Sequence, residues 1–367
     1  MPELLMIVGS LNRDAPYFRA AHGLGLSVFR FDPATGQADL VCEDRSVDNP
    51  TFLSVASGSR CIYATSEVYG WHEGLISAYR YDAEARRLIY LNKQPSLGSV
   101  AAHSSLDAEA RHLLVANYGM GPEEEGPDRA IVVYPLDPDG ALAPPVASLR
   151  HGGRGPRADR QERAHPHCVL ASPDGRFAIV ADLGLDALFT YRYGPAGTLS
   201  TAPVAKTPMP PGSGPRHFAF HPNGRLAVVI RELDSSISSL RFEPDTGSFT
   251  PVSTVSTLPD GTTAENYCSD VQIHRGGEFV YGANRGHDSI AVFSLDEPSG
   301  RLAPIGHRSC GGTTPRNLAI DPEGRYLVVA NQDSDTVSVF AIEDGRLAHP
   351  VHQIPVGSPM CVKFLVL

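Results

Sequence analysis

The sequence predicts an all-β fold, a seven-bladed β-propeller with four antiparallel strands per blade and a last blade closed by both chain ends. Three observations carry this. A two-strand sentence recurs at least six times, with clear copies HPHCVLASPDGRFAIVADLG from His165, GPRHFAFHPNGRLAVVIREL from Gly214 and TPRNLAIDPEGRYLVVANQD from Thr314. The copies return at intervals of roughly 50 residues, the period of a propeller blade. The two ends of the chain read as complementary parts of one further copy.

The elements follow in order. LLMIVGS (4–10) reads as a second strand and GLSVFRFD (25–32) as a third, so the chain starts inside a blade. Looser copies of the sentence begin at Asn49, Ser99 and Asn266. After each of the six copies comes a third strand, at 75–82, 130–137, 187–194, 236–243, 289–296 and 336–343. Turns such as Asp245-Thr246-Gly247 and Pro298-Ser299-Gly300 then lead to an outer strand. SPMCVKFLVL at the C-terminus resembles a first strand with no continuation. Joining it to the N-terminal pieces completes the ring and covers two open edges. Residues 1–367 are therefore expected to form one domain. Inner strands such as FAIVA and YLVVA alternate weakly, as strands buried on both faces do. No segment shows convincing helical periodicity. Two inserts interrupt the repeat, DAPYFRAAHGLG (14–25) and HGGRGPRADRQERAH (151–165), with the acidic MGPEEEGPD (120–128) upstream of the second. Long loops on a regular scaffold tend to carry function.

Composition narrows the function classes. A formal charge of −10 and a pI near 5.8 argue against nucleic acid or an anionic membrane as main partner. Six scattered cysteines without a CxxC pair read as small hydrophobes in a reduced, cytoplasmic setting. MPELLMIVGS reads as a strand, not a signal peptide, and no stretch has the length of a membrane helix. No metal or cofactor is expected, and the sequence leaves the oligomeric state open.

Antiparallel geometry places the chemistry. Residues just before first strands and just after second strands share one face, near the mouth of the central channel. The first group is His103, His165, His167, Arg216, His217, Asp270 and Arg316; the second is Glu67, Asn117, Asp182, Glu232, Asn284, Arg285 and Asn331. Imidazoles, guanidiniums and carboxylates at one mouth suit an anionic or polyhydroxylated ligand. Glu232 is read as standing where the repeat puts Asn. His165 and His167, at i and i+2 on an extended segment, should point the same way, with His217 pointing away from Arg216 into a structural role. Asn117, Asn284 and Asn331 recur as turn hydrogen-bonding would require. Of the residues at this mouth, His167, Arg216 and Glu232 read as functional rather than structural. The candidate substrate contacts are His165, Arg285, Arg160, Asn117 and Asp182.

At these residues the chain resembles the seven-bladed propeller lactonases, which include propeller-type 6-phosphogluconolactonases and fungal 3-carboxy-cis,cis-muconate lactonizing enzymes. The resemblance spans almost the full length. It is carried by Asn117-Tyr118, Arg160-Gln161 ahead of His165-Pro166-His167, Gly214-Pro215-Arg216-His217, Glu232-Leu233 and the run from Asn284 to Ile290. It implies an active site of His167, Arg216 and Glu232, with Arg285 as accessory. The chain departs from the family at Ser269-Asp270, where Ala-Glu is frequent, at the acidic stretch after Tyr118, and at the turn Arg275-Gly276-Gly277.

Lactone hydrolysis needs an activated water and a cation for the oxyanion. Imidazole suits the first and Arg216 or Arg285 the second. Glu232 is expected to orient His167, or to act as base if burial raises its pKa. Arg157, Arg160 and Arg163 are candidate phosphate donors. A cycloisomerase acting on a carboxylated muconate would use the same parts. Two other readings compete: a calcium-dependent lactonase using Glu67, Asp182, Glu232 and Asn284, and a non-catalytic protein-binding scaffold. The scaffold lacks a Trp-Asp signature, since Trp71 is the single tryptophan.

Overall fold

The computed structural model of the protein describes residues 3–18, 20–120 and 126–367. Its described residues form seven four-stranded antiparallel sheets and no α-helix, with a single 3-10 turn at Gln332–Ser334. The innermost strands of blades 1 to 6 are Pro50–Ala56, Ala101–Leu106, Pro166–Ala171, Pro215–Phe220, Tyr267–Ile273 and Pro315–Ile320. Blade 7 runs from the C-terminal strand Pro359–Val366 to Leu4–Ser10, Leu26–Phe31 and Ala38–Asp44. Contacts between neighbouring inner strands run unbroken around the ring. The sequence expectation of a seventh blade assembled from both ends holds, and Leu5 lies opposite Leu365 in its register.

Burial explains the weak alternation of the inner strands. Phe177–Asp182, Leu226–Arg231 and Tyr326–Asn331 are buried at every position because each faces both neighbouring blades. The apolar clusters accordingly sit between blades, as where Phe177, Ile179 and Phe218 meet Val229 and Phe242. The acidic stretch at 120–128 lies partly outside the described residues, at 121–125.

One irregularity positions the site. Every inner strand carries one extra residue near its start, opposite the end of the second strand. A bulge leaves its extra residue out of the ladder and re-aims the side chain. In five blades a proline precedes the bulge (Pro50, Pro166, Pro215, Pro315, Pro359), a strand-opening position where a missing N–H costs nothing. The extra residues are Thr51, Ala102, His167, Arg216, Arg316 and Met360, and these six line a narrow chamber on the channel axis. In blade 5 the irregular segment holds Ser269 and Asp270.

Candidate active site

Above that chamber opens a cavity of about 380 Å³. Its walls come from two repeat positions and two inserts. The bulges supply Ala102, His167, Arg216 and Arg316. The ends of second strands supply Glu67, Tyr118, Glu232 and Arg285. Insert 14–25 adds Tyr17 and Phe18, and insert 151–165 adds Arg160. Four guanidiniums face two carboxylates, a formal excess of two positive charges.

Glu232 organises the cationic wall. Its Oε1 accepts from Arg160 Nη2 at 2.5 Å, and its Oε2 accepts from Arg216 Nε and Arg285 Nη2, both at 2.9 Å. Burial alone would raise this carboxyl, but Arg285, Arg160 and Arg216 together hold it well below the usual carboxylate range. Arg160 spans the wall, lying over the Tyr267 ring at 5.4 Å and beside the Tyr118 hydroxyl.

Arg216 is fixed from behind. Nη1 donates to Ser269 O at 2.5 Å and lies 3.3 Å from His217 Nε2. His217 Nδ1 in turn lies 2.8 Å from Asp270 Oδ1. The second Asp270 oxygen accepts from Asn317 Nδ2 and Leu318 N. A carboxylate fed by donors requires the proton on His217 Nδ1, leaving Nε2 as an acceptor for Arg216. His217 thus points away from the cavity, as its position next to Arg216 predicts. Desolvation, then Arg285, lowers Arg216 to about 9, still a cation at neutral pH. Its Nη2 and the Nη1 of Arg285 have no acceptor among the described residues, which leaves both for a ligand.

His167 lines both cavity and chamber. Burial first, then Arg216, His217 and Arg316, keeps its pKa well below 6.5, so the imidazole is neutral. Glu232 makes no hydrogen bond to it; the carboxylate is taken up by guanidiniums. The expectations that Glu232 orients His167, or becomes a base through a raised pKa, are both corrected on these grounds.

Three expected substrate contacts lie outside the cavity. Asn117 Nδ2 donates to Ser96 O and Arg129 O, tying the second strand to neighbouring loops. Asn284 and Asn331 repeat this bond to Thr257 O and Cys310 O. Asp182 accepts from His165 N and Leu185 N and pairs with His151 at 2.6 Å. His165 stacks on Tyr118 at 4.1 Å and reaches Tyr118 O with Nδ1, so it backs a wall residue and does not share the cavity with His167. The bulge between Pro166 and Cys168 breaks the i, i+2 alternation that would have aligned the two imidazoles. Arg231, and not Glu232, occupies the recurring Asn position: it lies opposite Pro215, as Asn117 lies opposite Ala101. Arg157 and Arg163 are committed to Asp159 and Asp128. The four oxygen donors of the calcium reading do not converge, since Asp182 and Asn284 are engaged elsewhere.

Sequence reasoning missed Tyr118, Tyr17, Phe18 and Tyr267 as wall residues. A positional signal was available for Tyr118 alone, the residue following the recurring Asn.

Comparison with known proteins agrees with this fold. Residues 6–364 match the family described as "Lactonase, 7-bladed beta-propeller". A 6-phosphogluconolactonase of Bacillus subtilis is 35% identical over 319 residues, covering 86% of this chain and 87% of that one. A 6-phosphogluconolactonase of Formosa agariphila is 31% identical over 356 residues, covering 93% and 94%. The structure of a periplasmic gluconolactonase from Pseudomonas aeruginosa superimposes with a TM-score of 0.88 at 31% identity, covering 99% of each chain. The chain belongs to the seven-bladed β-propeller lactonase family.

Proposed function

We propose that this chain hydrolyses a sugar lactone bearing an anionic group, with a 6-phosphogluconolactone-like substrate as the first candidate. The observation that carries this reading is the cationic excess of the cavity: Arg160, Arg216, Arg285 and Arg316 against Glu67 and Glu232. The names of the relatives support the sugar lactone, and the guanidiniums support the anion, since Arg matches phosphate geometry with paired donors. A cavity of about 380 Å³ accommodates a ligand of this size. A muconate cycloisomerase would use similar cations, but the relatives from Bacillus subtilis, Formosa agariphila and Pseudomonas aeruginosa carry gluconolactonase names.

In this reading the lactone carbonyl oxygen points to Arg216 Nη2 and Arg285 Nη1, whose fixed charge meets the developing oxyanion in a partly desolvated site. Glu232 is a positioning residue that keeps three guanidiniums together despite their repulsion. His167, held neutral, orients the attacking water as a hydrogen-bond acceptor. Tyr118, pushed up to about 12 by burial, stays a protonated hydroxyl that can bond a sugar oxygen. Six unpaired cysteines, five of them buried, support a cytoplasmic setting. The ring closed by both chain ends supports reading 1–367 as one domain.

A pH-stat panel tests the reading. Wild-type protein should open phosphorylated and unphosphorylated gluconolactones with a preference for the phosphorylated one. Turnover of a carboxylated muconate or muconolactone with no sugar lactone activity would replace this reading with the cycloisomerase.

A further inference from the structure

The chamber beneath the cavity holds a second set of groups that the cationic wall does not use. Its volume is about 10 Å³, the space of roughly one water molecule. Glu67, Thr51, Ala102, His167, Arg216 and Arg316 line it, and all except Thr51 also line the substrate cavity above. Two polar atoms of the lining residues are buried without a hydrogen-bond partner, Thr51 Oγ1 and His167 Nδ1. Their residues are only 5% and 7% exposed. Buried polar atoms are almost always satisfied, by protein or by ordered water. Two orphans bordering a space the size of one water point to a water as their common partner.

Glu67 completes the set. It is 5% exposed and borders both spaces. Its closest guanidinium, Arg316, stands at 4.0 Å, beyond hydrogen-bond length. The Tyr17 hydroxyl lies within hydrogen-bond reach of it. Glu232, by contrast, has three guanidiniums at 2.5–2.9 Å. Ring order also separates the two carboxylates: blade 1, which carries Glu67, is three blades from both blade 4 and blade 5, which carry Glu232 and Arg285. A carbonyl whose oxygen faces blades 4 and 5 presents its carbon toward Glu67. Ala102 of blade 2, between Glu67 and His167, is small enough to leave that path open.

We propose that Thr51, Glu67 and His167 hold the hydrolytic water in this chamber and that Glu67 is its proton acceptor. The inference rests on the lactonase reading above. The water accepts a hydrogen bond from the Thr51 hydroxyl and donates to His167 Nδ1 and to Glu67. Its remaining lone pair forms the bond to the carbonyl carbon as its proton passes to the Glu67 carboxylate. The tetrahedral oxyanion rests against Arg216 and Arg285. Collapse breaks the bond to the ring oxygen, which takes the proton back from Glu67 and leaves as a hydroxyl. Lactone and water become hydroxy acid, and Glu67 is again a carboxylate. Burial, and after it the charges around His167, make that imidazole a poor proton acceptor, which favours the carboxylate for this role.

The test is steady-state kinetics of Glu67→Gln, Glu67→Asp and Thr51→Val on a lactone that the wild type opens, with pH profiles from 4 to 8. A general base contributes roughly 10²–10⁴-fold. Glu67→Gln should lose at least about 100-fold in kcat with KM within about threefold, and should lose the acidic limb of the kcat/KM profile. The groups that can shape that limb are Arg316 and Tyr17 beside Glu67, and His167, Arg216 and His217 across the chamber. Glu67→Asp should restore part of kcat and the limb with it. Thr51→Val keeps shape and charge, so it reports even if Glu67→Gln folds poorly; it should lower kcat about tenfold at unchanged KM, the order of effect of one lost hydrogen bond. An unchanged acidic limb in Glu67→Gln, or a change in KM alone, overturns the proposal. Wild-type protein inactive on every lactone would instead overturn the parent reading.

Discussion

Replacing Glu232 by Gln removes the one anion that three guanidiniums share. The contacts at 2.5, 2.9 and 2.9 Å place charge centres roughly 4 Å apart, where each pair is worth about 4 kcal/mol gross at an effective dielectric near 20. Much of this offsets desolvation, and breaking a buried pair costs about 3–5 kcal/mol net. Gln keeps one acceptor oxygen but turns an NH₂ group toward a guanidinium, so the variant should fall in that range. Folding stability totals on the order of 5–15 kcal/mol, so the urea midpoint should drop by about 1–2 M. Inorganic phosphate should recover part of the loss by binding the exposed cations. Turnover should fall at least about 100-fold, because Arg216 and Arg285 repel one another out of register. The acid profile adds a check with a fixed sign. A carboxyl held low in the fold contributes stability that is complete above its unfolded value of 4.5 and is lost as pH falls toward the lower folded value. Glu232→Gln should therefore flatten the stability loss below about pH 4.5. A variant within about 0.5 kcal/mol of wild type with normal turnover would refute the organising role of Glu232.

Two further outcomes follow from the same contacts. His103, His167 and His217 are held below 6.5 by burial, His217 to about 4 with Arg216 as second cause. The unfolded chain binds more protons below pH 6.5, so stability should fall by about 1.4 kcal/mol per pH unit for each such histidine; urea midpoints level between pH 7 and 5 would contradict the burial of these rings. Deleting residues 363–367 removes half of the strand paired with Leu4–Ser10, and should lower the melting temperature of the whole ring in one transition, whereas an unchanged melting curve would show that closure by the C-terminal strand is dispensable.

The ring was legible because it is written redundantly. Six copies of one apolar pattern, each buried on both faces, leave few alternative folds, and the matching end segments pinned the seventh blade. The site was legible only in part. His167, Arg216, Glu232, Arg285 and Arg160 converge as read, because each breaks the apolar repeat at a channel-facing position or belongs to a long insert. Asn117 ends its second strand and the cavity takes the residue that follows, Tyr118; Asp182 ends its own and is taken up by His165 N, Leu185 N and His151. His165 was misread because a bulge, invisible to simple alternation, reverses the neighbouring side chain. Tyr17 and Phe18 carry no repeat signal at all; an insert folding over the channel places them there.

The central claim is that a cationic channel mouth opens an anionic sugar lactone. The most direct measurement is kcat/KM for 6-phosphogluconolactone and for unphosphorylated gluconolactone in wild type and in Arg285→Ala. The account predicts a wild-type preference for the phosphorylated lactone that weakens with salt, and a drop of at least about 100-fold in the variant, since one oxyanion donor is worth about 10²–10³ in rate. Equal rates on both lactones, unaffected by salt or by loss of Arg285, would contradict it.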